Sequence, residues 1–111
     1  MSSSILVSGS VAFDVIMSYG GNFSKTIDTT QGTISAAFLI QELKKYFGGC
    51  AANICYNLRL LEQSPILLGS VGCDFNLYKK DLETKGINTD FIKVHDDIYT
   101  AQAFITTDDS G

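Results

Sequence analysis

Basic residues are scarce in this sequence: 8 Lys and Arg stand against 12 Asp and Glu, a formal charge of −4 at pH 7. Lys44-Lys45 and Lys79-Lys80 are the only adjacent basic pairs, far short of the cluster that neutralises a phosphate backbone, so a nucleic-acid surface is excluded. No apolar run reaches transmembrane length, and no basic n-region with an apolar h-region opens the chain, so neither a membrane partner nor a secretory leader is expected. Cysteine is sparse and odd in number: Cys50, Cys55 and Cys73. That count points to a reducing, cytoplasmic location and free thiols rather than a disulfide framework. The spacing C-x4-C-x17-C with the single His95 is poor for zinc, and no metal site is expected. The sequence holds no Gly-x4-Gly-Lys-Ser/Thr phosphate loop, Gly9-Ser10-Val11 does not start a dinucleotide fingerprint, and no repeat suggests a solenoid.

What is present suffices for one globular unit, since 45% of 111 residues are hydrophobic. The most informative stretch is Tyr46-Phe47-Gly48-Gly49-Cys50-Ala51-Ala52-Asn53-Ile54-Cys55-Tyr56-Asn57-Leu58. Adjacent glycines permit unusual backbone and close approach, and the 3.6-residue apolar period after them predicts a helix. The first N–H groups of that helix lack intrahelical partners and sit at its positive end, where an oxygen-rich ligand is favoured. Asn53 projects from the first turn, and its amide both donates to and accepts from a hydroxyl, which suits a sugar diol better than a bare phosphate. The same features also read as a plain strand-to-helix turn with a capping or solvent-facing Asn.

Elsewhere the chain alternates. Ile5-Leu6-Val7 reads as a short buried strand, and Val11 to Met17 continues in extended form. Asp14 interrupts that apolar run; it reads either as a solvated turn residue or as an acceptor for ligand hydroxyls, because a carboxylate among apolar neighbours needs donors. Residues 18–33, rich in Gly, Ser, Thr and Asn, predict a mobile exposed connection. From Thr33 to Phe47 two periods compete, with the strand favoured over the helix. In the helix after Gly49, Ala51, Ile54, Cys55, Leu58 and Leu61 share the face predicted to look into the core. Pro65 opens a strand over Ile66 to Val71 whose apolar continuity suggests cover on both faces. Asp74 is placed to cap a helix from Phe75 to Lys85 that stops at Gly86. Strands over Phe91–Val94 and Tyr99–Thr107 complete the pattern. The β-α-β-α-β order over residues 5–94 predicts an α/β fold with a parallel sheet and crossover helices, the Gly48-Gly49 turn lying at its carboxyl edge.

With Asp14, Gly48-Gly49, Asn53 and Gly72-Cys73-Asp74 in this order, the chain resembles the N-terminal part of the ribokinase, or phosphofructokinase-B, family of sugar and nucleoside kinases. The likeness runs from residue 5 to the end, and Leu82, Gly86-Ile87 and Thr100-Ala101 also fall where such kinases carry similar residues. Cys55 departs from the Ala, Ser or Thr common there, and Glu62 from the Gly or Ser that usually ends the helix. Ser10 is ribokinase-like, whereas animal-type adenosine kinases carry Asn at that point. The run Phe-Gly-Gly-Cys-Ala-Ala-Asn-Ile is most similar to bacterial adenosine kinases and carbohydrate kinases.

The resemblance implies a ribokinase-like parallel sheet with crossover helices plus a small β-sheet lid: core near 5–10 and 48–94, lid strands near 11–17, 33–47 and 99–107, in one N-terminal portion over 1–111. It implies ATP-dependent phosphorylation of a primary hydroxyl on a sugar or nucleoside, adenosine favoured, with ATP and Mg2+ bound mostly outside this chain. Asp14, Gly48, Gly49 and Asn53 would then be the substrate-binding residues. No catalytic residue is expected here, because the family's base Asp sits in a Gly-Ala-Gly-Asp motif that this sequence lacks. The chain is therefore expected to be inactive alone, to self-associate or bind a partner through uncovered sheet surface, and as part of the intact protein to form a homodimer through the lid. A non-catalytic sugar- or nucleoside-binding module is the alternative.

Overall fold

Period-2 and period-3.6 stretches succeed one another, and the chain folds accordingly. The computed structural model describes residues 4–30, 32 and 34–111; Gln31, in the expected connection, and Thr33, at the start of the expected strand, lie outside the described residues. The elements are β1 (Ser4–Ser8), β2 (Ala12–Tyr19), α1 (Phe23–Thr26), β3 (Ile40–Gly48), α2 (Cys50–Leu60), β4 (Ser64–Gly72), α3 (Asn76–Thr84), β5 (Ile92–His95) and β6 (Ala101–Thr107). They form two three-stranded sheets, ordered β1-β4-β5 and β3-β2-β6. The chain divides into two units, residues 1–13 with 47–102, and residues 14–46 with 103–111. No helix among the described residues is long and apolar enough to cross a membrane.

In the first unit β1 pairs parallel with β4, Val7 opposite Leu67, and β4 pairs parallel with β5, Gly69 opposite Ile92. Parallel neighbours require crossovers, which α2 and α3 supply. Leu67, Val71, Ala51, Ala52, Cys55, Phe75, Tyr78, Leu82 and Ile87 form one buried cluster, with Val7 and Ile92 packed against it. Both helices therefore lie on the same side of the sheet. Full burial of a side chain such as Leu67 or Leu82 contributes about 1.5–3 kcal/mol.

Two expectations about this unit are corrected. The buried face of α2 is Ala51, Ala52 and Cys55, while Ile54 is 49% exposed and Leu61 70% exposed. The small residues bring the helix axis close to the sheet, which tilts the contact towards them and leaves the longer side chains outside. Likewise β4 is covered on one face only: Leu67 and Val71 are buried, whereas Leu68, pointing the other way, is exposed.

The second unit departs further from expectation. Residues 18–33 are not simply a loop, since β2 runs to Tyr19 and Asn22 caps α1 by accepting from the Ser24 N–H at 2.9 Å. Tyr19, Phe23 and Phe38 stack together, with ring centroids 4.9–5.9 Å apart, and the Tyr19 hydroxyl meets Thr26 Oγ1 at 2.8 Å. That aromatic cluster orders a segment whose composition alone reads as loop. The predicted strand from 33 to 47 begins only at Ile40; before it, Ser35 forms an isolated antiparallel bridge with Asp28, and Ile34 and Leu39 are exposed. Without a neighbouring strand to pair with, the alternation of Ile34, Ala36 and Phe38 produces no ladder.

Candidate functional site

The start of α2 is where local sequence and long-range packing converge. Gly49 occupies the N-cap position with φ +97°, a region that L side chains rarely adopt. A Cβ there would also stand 2.5 Å from the Ser10 carbonyl oxygen and 2.7 Å from Val11 Cα. Both conformation and space thus require glycine. Gly48, buried at the end of β3, accepts a hydrogen bond from the Tyr78 hydroxyl at 2.6 Å. Asn53 donates its N–H to the Gly49 carbonyl at 3.0 Å, closing the first helical turn.

The Asn53 side chain is exposed and lines a groove of about 240 Å3 between α2 and α3 with Phe47, Tyr56, Tyr78, Asp81 and Lys85. Its amide has no hydrogen-bond partner among the described residues. Lys85 in the same groove is engaged twice, 2.8 Å from Asp81 Oδ2 and 4.5 Å over the Tyr56 ring. Asn53, with the Tyr56 hydroxyl, is thus a polar group there that is left to a ligand.

Gly48, Gly49 and Asn53 are therefore brought together within one turn. Asp14 lies on β2, the first residue of the second unit. Phe13 and Val15 on either side of it are buried, and Asp14 points to the other face of the strand, half-buried, with no hydrogen-bond or ion-pair partner among the described residues. It is not a turn residue.

The bare helix terminus expected from sequence is partly closed. Ser10 Oγ accepts from the Cys50 N–H at 2.8 Å and the Ser10 carbonyl accepts from the Ala51 N–H at 3.1 Å. One residue, forty positions upstream of Cys50, thus satisfies two of the donors that a helix start leaves open. In the sequence Ser10 bears only on substrate type, because a cap supplied from the distant β1–β2 connection leaves no local pattern.

Asp74 is corrected as well. The N-cap of α3 is Phe75, with no side-chain cap, and Asp74 Oδ1 instead accepts from the Thr100 N–H at 2.8 Å. Thr100 Oγ1 in turn accepts from the Gly72 N–H at 3.0 Å, and the Cys73 N–H donates to the Ile98 carbonyl at 2.8 Å. The turn after β4 is clasped to the entry of β6. A side chain at Gly72 would overlap the backbone of residues 98–100, which is why glycine stands there.

Residues 4–111 match the pattern of the pfkB family carbohydrate kinases. The chain belongs to that family. An ATP-dependent ribose-1-phosphate kinase of Halopiger xanaduensis is 35% identical over 74 residues, 65% of this chain and 25% of that protein. A nucleoside kinase of Burkholderia thailandensis, solved in complex with inosine, is 34% identical with a TM-score of 0.78, covering 98% of this chain and 34% of that one. A ribokinase of Cryptococcus neoformans var. grubii, solved in complex with ADP, is 30% identical with a TM-score of 0.77, over 99% and 32%. The pfkB fold is thereby established for the chain, which spans about a third of the length of those solved kinases. Among the described residues of this pfkB chain no group of three or more His, Cys, Asp or Glu could hold a metal ion.

Proposed function

We propose that the natural protein carrying this chain is a cytoplasmic ATP-dependent kinase that phosphorylates the primary hydroxyl of a nucleoside or sugar, adenosine favoured. These residues hold the substrate and leave the ATP and Mg2+ chemistry to the rest of the protein, so the 111-residue chain does not turn over by itself. The observation that carries this reading is the unengaged Asn53 amide one turn after the positive-φ Gly49, in a family whose relative from Burkholderia thailandensis is solved with inosine.

In this reading the Asn53 amide and the Gly49 N–H donate to ring hydroxyls, Gly48 lines the site, and the Asp14 carboxylate accepts from the diol. Fixing the sugar this way orients its hydroxymethyl group, and phosphoryl transfer depends mostly on such positioning and on electrostatics. The homodimer implied by resemblance would form through the β3-β2-β6 sheet.

The test is ATP consumption by the full natural protein against adenosine, inosine, other nucleosides, ribose and fructose. Turnover is expected with a nucleoside. Asp14→Ala should lower kcat/KM about a hundredfold, since each hydrogen bond to a charged group is worth about 1.5–3 kcal/mol. Absence of turnover with every compound, alongside intact binding of one, would sink the kinase assignment.

A further inference from the structure

Tyr78 is a fully buried, titratable side chain at 2% exposure that substrate binding as described above leaves without a role. Its hydroxyl donates to the Gly48 carbonyl at 2.6 Å. Its ring stacks on Phe47 with centroids 4.6 Å apart and lies 5.6 Å from Phe13 and 5.7 Å from Phe75. Three aromatic rings packed on that of Tyr78 therefore hold its hydroxyl in one place, and that place is the peptide bond between Gly48 and Gly49.

A peptide is planar and trans, so its carbonyl and its N–H point in opposite directions. Fixing the Gly48 carbonyl fixes the Gly49 N–H to the side away from Tyr78. Neither glycine has a side chain to restrain that plane, and Gly49 at φ +97° has a wide choice of alternatives. We infer that Tyr78 is a positioning residue: its hydrogen bond to the Gly48 carbonyl sets the plane of the Gly48–Gly49 peptide and thereby aims the Gly49 N–H at the ligand. This rests on the nucleoside-kinase reading above, and it adds the residue that makes a flexible glycine pair into a defined donor.

Tyr78→Phe in the full natural protein keeps the ring packing and removes only the hydroxyl. The nucleoside KM should rise about tenfold, the worth of one hydrogen bond, with kcat and the KM for ATP within about twofold, because the contact acts on ground and transition states alike. Amide hydrogen exchange at Cys50 and Ala51 should quicken about tenfold while the strands of the β1-β4-β5 sheet keep their protection. Ile87→Val, which trims the same buried cluster away from the helix start, serves as the control for general loosening. If Tyr78→Phe changes KM and local exchange no more than Ile87→Val does, the positioning role is wrong. If the unmodified protein turns over no nucleoside, the kinase reading fails and the exchange measurement alone decides for or against Tyr78.

Discussion

Gly49 shows how much a single residue can be asked to do. Its positive φ and the 2.5 Å approach to the Ser10 carbonyl that a Cβ would make are separate penalties. Left-handed strain costs of order 1–3 kcal/mol and the overlap about as much again. Gly49→Ala is therefore expected to destabilise the full protein by about 2–6 kcal/mol in urea unfolding, and a loss under about 1 kcal/mol would show that the turn relaxes freely. Cys55 makes the opposite kind of case. It is buried at 0% exposure, and burial pushes its thiol up from the usual range, while Cys50 and Cys73 are exposed. A thiol reagent should thus label two cysteines quickly and the third only on unfolding. The sign of the pH dependence follows from linkage. Below about pH 8.5 the thiol is protonated whether folded or not; above it the unfolded chain releases the proton first, so stability falls as pH rises. Comparing urea midpoints from pH 7.5 to 10 in the unmodified protein and Cys55→Ala should show a shallower fall in the variant.

At the scale of elements, the end of α2 is built less well than its start. The Glu62 N–H donates to the Arg59 carbonyl at 3.0 Å and the Gln63 N–H to the Leu58 carbonyl at 2.9 Å, the paired bonds that close a helix through a left-handed residue. That residue is Glu62, at φ +61°, and a non-glycine there costs about 1–2 kcal/mol. Glu62→Gly should accordingly raise stability by about 1 kcal/mol, read as a higher melting temperature; a fall would mean that the Glu62 side chain has a use its backbone does not reveal. The order of β1, α2, β4, α3 and β5 was legible because each rests on local periodicity. Gly49 stood out because an apolar helical period seldom opens on paired glycines unless the backbone turns sharply there. The hydrogen-bonding roles of Ser10, Tyr78 and Thr100 were not legible, since their partners lie 40, 30 and 28 residues away. Asp74 misled for the related reason that a cap and a cross-chain acceptor are the same residue type in the same place. α1 was missed because three aromatic rings, not its composition, hold it together.

For the whole molecule the telling feature is which side of the β1-β4-β5 sheet is dressed. Both crossovers step the same way, β1 to β4 to β5, so helices of one hand cover one face. On the opposite face Leu6 is 63% exposed, and Leu68 and the neighbouring Phe91 are exposed with it. Among the described residues β1 and β5 are each paired on one side only, which leaves unpaired backbone groups beside that apolar surface. Apolar area exposed next to an open edge favours association over solubility as a monomer. The 111-residue chain, prepared alone, is therefore expected to self-associate with increasing concentration, seen as a rising mass by light scattering on a sizing column. Leu6→Lys combined with Leu68→Lys should suppress that association if the bare face drives it, because the two side chains point to the same side of paired strands, one rung apart. Association that survives the double substitution would place the cause at the strand edges, and a stable monomer before any substitution would mean that the exposed face is tolerated as it stands.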